Sequence, residues 1–186
     1  MSLGNRHRFE ASAELTQTIL SKLATEKGVH AETAVSATVR MAGTLLLRSC
    51  RLPLENLKPS SSVFFDRVNE LGPKVLESVD QTLAFLKIPI ETRKLNYDIP
   101  EANQPLMKLL EVQSLLDPSF RMVLQKHGLS DEEGAHAAAI STAVIIEKTK
   151  GVLNPYIAYA IAVEGLVAGS KTVPYDAGGA EAAAAP

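Results

Sequence analysis

Tryptophan is absent from this chain, and phenylalanine and tyrosine together make up only 5% of its 186 residues. Any core must therefore be built from aliphatic side chains. A single cysteine, Cys50, excludes an internal disulfide framework and a cysteine-built zinc centre. Neither sign of charge dominates. Nineteen Lys and Arg against 21 Asp and Glu leave a formal charge of −2, so there is no global basic field of the kind that draws a protein to nucleic acid. Long hydrophobic runs are missing too. The two longest stretches without a charged residue, 134–146 and 151–163, fall short of the ~20 residues that span a bilayer. Residues 1–8 are polar, and no apolar segment with a small-residue cleavage site follows them. These absences predict a cytoplasmic protein with no membrane contact and no need for nucleic acid.

What remains is an ordinary globular balance, 46% hydrophobic and 22% charged. Residues 1–8 are predicted to be flexible. The end from Asp176, rich in Ala and Gly, has almost nothing to bury and is predicted to be a disordered tail over 176–186. Residues 9–175 are left as one folded domain.

Periodicity fills that domain with helices. Leu15, Ile19 and Leu23 repeat every four residues from Glu10 to Lys27, and Gly28 stands where such a helix stops. A second helix, Ala31 to Cys50, has so few charges that several of its sides must be covered. A third runs from about Ser61 to Lys87, with a stripe of Phe64, Val68, Leu71, Val75, Val79, Leu83 and Leu86. The stripe holds phase across Gly72-Pro73, which predicts a kink and not a break. Pro89 and Pro100 bracket an extended crossing or strap over 88–100. Four more helical pieces follow: Asn103–Leu116, Ser119–His127, a long one opened by the capping-box pair Ser130 and Glu133, and one opened by Asn154-Pro155. The result is an all-α, single-domain helical bundle or orthogonal helical array of about seven helices. The two most apolar, after Ser130 and after Pro155, are expected to form the central pair.

Two hairpins look alike. Gly28 and Gly128 each follow a basic residue, Lys27 or His127, and precede an aliphatic one, Val29 or Leu129. Leu45-Leu46 then aligns with Ile145-Ile146. The pattern suggests two pseudo-repeated hairpins, although a helix–Gly–helix turn is also generic chemistry.

Chemistry is harder to find. No nucleophile elbow, phosphate loop, zincin pair or EF-hand is present. Glu133-Gly-Ala-His136 has the Glu-x-x-His spacing of ferritin-like di-iron bundles, but no second copy exists to complete a centre. Ala24, Gly28, Val29 and Thr33 resemble the helix-turn-helix motif of DNA-binding repressors. That resemblance implies a second helix reading bases, yet this one offers only Arg40 to a phosphate. Glu164 interrupts an otherwise apolar helix. A buried carboxylate must be paired or protonated, and His136, Tyr156, Tyr159 and Arg40 are its candidate partners. Glu164, His136, Tyr159 and Arg40 are therefore the candidate ligand-binding set, with no metal and no cofactor expected. His7 reads as part of a loose end, and His127 as a cation at a helix C-terminus.

Three functional readings follow. The main expectation is a homo-oligomeric interaction or regulatory module without catalytic activity. It rests on the stripe from Phe64 to Leu86, longer than one neighbour readily covers, and on the 88–100 segment. The alternatives are a small-molecule-binding protein or enzyme with its site near Glu164 and His136, and a helix-turn-helix regulator.

Overall fold

Helix α2 (Ala31–Ser49) is buried from Ala31 to Val39 and again from Met41 to Leu47, because helices press on it from two sides. The computed structural model describes residues 3–54 and 56–175. Around α2 stand α1 (Leu3–Lys22), α3 (Asp66–Phe85), α4 (Leu109–His127), α5 (Asp131–Thr149) and α6 (Pro155–Ser170). Two short 3-10 turns, Thr92–Lys94 and Glu101–Asn103, sit in the α3–α4 connection. Among the described residues there is no β-strand, only isolated bridges such as Ser62 with Thr172. Among the described residues the bundle is all-α with six helices. No helix is long and apolar enough to cross a membrane among the described residues.

The central element is α2, packed on α6 and α5, and not the expected α5–α6 pair, which touch little. Glycine explains the choice. A Cβ at Gly43 would lie 2.5 Å from the Leu166 carbonyl oxygen, and one at Gly165 would lie 2.5 Å from Val39 Cγ1. A Cβ at Gly169 would strike the Arg40 carbonyl oxygen. Backbone therefore meets backbone along α2–α6, a closeness only glycine permits. The small side chains of α5, Ala135, Ala137, Ala138, Ala139 and Ala143, lie in the core, where α5 packs chiefly on α2 and α1.

Local chemistry sets the helix ends. The Ser130 hydroxyl accepts from Glu133 N–H while Glu133 accepts from Ser130 N–H at 3.0 Å, completing the capping box of α5. Asn154 Oδ1 accepts from Tyr156 N–H at 2.9 Å and Pro155 occupies the first turn of α6. Gly128, with φ +63°, ends α4 in the left-handed region.

Several sequence expectations are corrected. Helix α1 begins at Leu3, ahead of the predicted Glu10, with Arg6 Nε donating to Glu10 Oε1 at 2.8 Å across one turn. Pro118 does not end a helix: the two pieces predicted over 103–127 are one helix, α4, which starts only at Leu109. Asp117, just before the proline, is held by Arg48 Nη1 at 2.5 Å and Arg121 Nε at 2.8 Å. Pro73 is accommodated inside α3, as its phase predicted. The two similar turns differ. Gly28 closes a tight bridge with Thr25 six residues beyond the end of α1, whereas Gly128 caps α4 directly. Even so, α2 and α5 start and stop in matching register, Ala31–Ser49 against Asp131–Thr149.

The α3 stripe is satisfied within the chain. Leu71, Val75, Val79 and Leu83 are buried in the main core, where α3 packs chiefly on α5. Val68 is buried in a smaller cluster with Leu47, Leu54, Val63 and Val173, Leu86 is half-buried, and Phe64 at the start stands exposed. Each such aliphatic burial contributes about 1.5–3 kcal/mol. Ile88, Ile90, Leu95 and Ile99 pack against the same core, so the 88–100 segment is a surface crossing. Both features that suggested self-association are thus used internally. The tail predicted over 176–186 lies outside the described residues.

Candidate functional site

Of the four residues expected to form one site, Glu164 and Arg40 are neighbours across α2 and α6, whereas Tyr159 and His136 meet α3 at different points. Glu164 is exposed on α6. Its carboxylate favours the charged form of Arg40, whose guanidinium is pushed down by burial. Arg40 Nη1 donates to the Met107 carbonyl at 2.5 Å, tying α2 to the start of α4, while its Nε is sealed without a partner. Tyr159 is buried on α6 and turned toward α3, where burial, then hydrogen bonding to Asp80, push its phenol up. His136 on α5 also meets α3, at another point: its Nδ1 lies 2.8 Å from Ser78 Oγ. Glu164 does not wall the cleft that His136 lines. Glu164 is thus a solvent-facing carboxylate beside Arg40 on an otherwise apolar helix.

His136 does line a cleft. Between α1, α3 and α5 lies a space of about 520 Å³, walled by Arg8, Phe9, Ser78, Gln81, Thr82, Phe85, His136 and Ile140. Its volume is that of an ordinary small-molecule pocket. Phe9 and Phe85 are exposed aromatics at its edge, in a chain that has few. Burial, and secondarily the Arg8 charge, hold His136 below the usual histidine range, so it is a neutral imidazole near pH 7. The Arg8 guanidinium approaches Glu133 at 3.7 Å, but its Nε is sealed from solvent with no hydrogen-bond acceptor. Glu133 is already engaged in the α5 cap, and Ser130 holds its carboxyl below the usual range.

A second group of polar side chains lies along the seam of α1 and α4. His7, Glu10 and His127 each bring one potential ligand atom within 4.8 Å of the others. His7 and Glu10 are exposed, whereas the His127 side chain is only 13% exposed. Glu14, one turn beyond Glu10, has its Oε2 3.0 Å from His127 Nε2 and 2.8 Å from Lys126 Nζ. Those contacts hold the Glu14 carboxyl below its usual range, Lys126 first and His127 second.

This cluster overturns the main expectation, a homo-oligomeric interaction or regulatory module without catalytic activity. The fold instead gathers imidazoles and a carboxylate from distant positions, and it spends several long-range side-chain hydrogen bonds on order. Asn103 Nδ2 donates to Glu32 Oε1 at 2.8 Å, and Gln113 Nε2 to Thr44 Oγ1 at 2.9 Å. Ser141 Oγ donates to the Ser12 carbonyl at 2.7 Å. The expected list missed Arg8, Ser78, His7, Glu10 and His127. For His7 and Glu10 a signal existed: they sit at i and i+3, one helix face. Extending α1 back past Glu10 would have exposed it. Nothing local connects either to His127.

The helix-turn-helix resemblance has a structural role. Its second helix is α2, whose residues from Ala31 to Val39 are all buried. Thr33 Oγ1 accepts from Leu106 N–H at 2.9 Å, a packing contact. The Glu133–His136 pair is also separated in role, Glu133 serving the cap and His136 the cleft. Comparisons with family models, with curated proteins and with solved structures find no match.

Proposed function

We propose that this is a small-molecule-binding protein whose site is the α1–α3–α5 cleft, taking a small organic anion with an apolar body. The observation that carries this reading is Arg8, a partly exposed cation on the cleft wall whose partner Glu133 stands 3.7 Å away and is already committed to the α5 cap. A guanidinium so loosely paired can take a ligand carboxylate, its natural acceptor. Ser78, Gln81 and Thr82 supply further polar contacts, while Phe9, Phe85 and Ile140 suit a short apolar chain or ring. Neutral His136, paired with Ser78, can donate or accept without competing for the anion's charge.

Binding is favoured over acyl transfer. Ser78 and His136 stand at nucleophile–base distance, but among the described residues no carboxylate is hydrogen-bonded to His136 to orient and support it as a base. A cytoplasmic setting belongs to the same proposal. It is supported by the lone Cys50, whose thiol is pushed up mainly by burial and so kept unreactive.

The test is saturation-transfer NMR with benzoate and hexanoate against benzylamine and hexylamine as probes. The anions are expected to bind saturably and the amines not. Arg8→Met should abolish anion binding while the protein stays folded by circular dichroism. Equal response to amines and anions, or none to either, overturns the reading.

A further inference from the structure

The α1–α4 seam has chemistry that the cleft does not use. His7, Glu10 and His127 hold a set of two imidazole nitrogens and one carboxylate oxygen within 4.8 Å of one another. They come from two helices and from the two ends of the first 127 residues, so this is a tertiary arrangement and not a local run. We propose that this cluster is a binding site for a transition-metal dication of the zinc class, with His7, Glu10 and His127 as its ligands.

The donor set decides the metal class. Two imidazoles with one carboxylate suit Zn²⁺ and its neighbours Co²⁺ and Ni²⁺, whereas Mg²⁺ and Ca²⁺ seek all-oxygen shells. Three protein ligands leave a fourth tetrahedral position for water or an incoming group.

The surroundings supply supports of the kind metal ligands have. His127 Nε2 lies 3.0 Å from Glu14 Oε2. With its N–H donated to Glu14, the ring lone pair falls on Nδ1, the form in which imidazole ligates, and the carboxylate raises ligand basicity. Glu14 is thus a positioning residue, itself anchored by Lys126 at 2.8 Å. Arg6 holds Glu10 Oε1 at 2.8 Å, leaving Oε2, which already lies 3.9 Å from His7 Nδ1, as the ligating oxygen. Arg6 and Lys126 add positive charge nearby, so the ion must be one that imidazole binds strongly, which again favours the zinc class.

This inference is independent of the cleft proposal, and its test uses the metal alone. The untagged chain, stripped with chelator, is titrated with Zn²⁺ by calorimetry, and Co²⁺ is added separately to read its visible spectrum. One equivalent of Zn²⁺ is expected to bind, Mg²⁺ to give no heat, and Co²⁺ to show the intense bands of a tetrahedral site. His7→Gln, Glu10→Gln and His127→Gln should each lower Zn²⁺ affinity at least tenfold. Glu14→Gln should lower it less and leave the cobalt bands in place. His30→Gln and His136→Gln should leave affinity unchanged. His7 and Glu10 are exposed, so their variants remain folded even where His127→Gln does not. Absence of saturable binding, or its survival in the His7→Gln/Glu10→Gln double variant, overturns the assignment.

Discussion

Ser78 on α3 and His136 on α5 are joined at 2.8 Å between Oγ and Nδ1, at the wall of the cleft that Arg8 also lines. The contact fixes where an imidazole is neutral, and it gives the protein a pH signature. Burial first, then Arg8, lower the folded-state pKa of His136 below its ordinary 6.5, against opposing pulls from Glu132, Glu133 and Glu77. The unfolded chain therefore binds this proton more readily. The contribution is fully present above about pH 6.5 and is lost as pH falls through the folded value. Thermal melts from pH 7.5 to 5 should show the midpoint falling, and His136→Gln should flatten part of that fall. Glu14 and Glu133, whose carboxyls are lowered, lose their contributions further down, below the ordinary carboxylate value of 4.5. Identical profiles for the two proteins would remove His136 as the source.

The α2–α6 seam predicts a sharp asymmetry among glycines. Gly169→Ala drives a methyl into the Arg40 carbonyl, and backbone cannot yield as a side chain can. A loss of about 3 kcal/mol or more is expected, at the upper end of overpacking costs. Gly151 has open space around it, and Gly151→Ala should be neutral or stabilise by up to about 1 kcal/mol. Urea denaturation of both variants checks the contrast.

Arg48 and Asp117 tie α2 to α4 with side chains only 13% and 15% exposed. Asp117→Asn leaves the Arg48 charge in that setting with a weaker acceptor and also weakens the Arg121 contact. A loss of about 2 kcal/mol is expected, less than for a fully buried pair because some solvent reaches both groups. A double-mutant cycle with Arg48→Met should return a coupling above ~1 kcal/mol.

Glu164→Gln should change stability by less than about 0.5 kcal/mol, since the carboxylate is exposed. It should also leave benzoate binding untouched, because Glu164 does not line the cleft. A ligand defect in this variant would restore Glu164 to the site.

The sequence by itself determined the helical class, the phase of α3 through Pro73, the capping box at Ser130 and the start of α6 at Asn154-Pro155. These are short-range matters: periodicity, an orphan amide and its nearest acceptor. Tertiary structure decided which helix is central. Hydropathy favoured α5 and α6, but the glycines at 43, 165 and 169 let α2 and α6 approach most closely, and close approach outweighs apolar content once every helix is apolar enough. It also decided that Pro118 lies within α4, that Glu164 faces solvent, and that His7 and Glu10 meet His127. A stretch of chain names the side chains that can ligate or pair. Only packing of helices from distant parts of the sequence sets the few ångströms between them, and on that distance the chemistry depends.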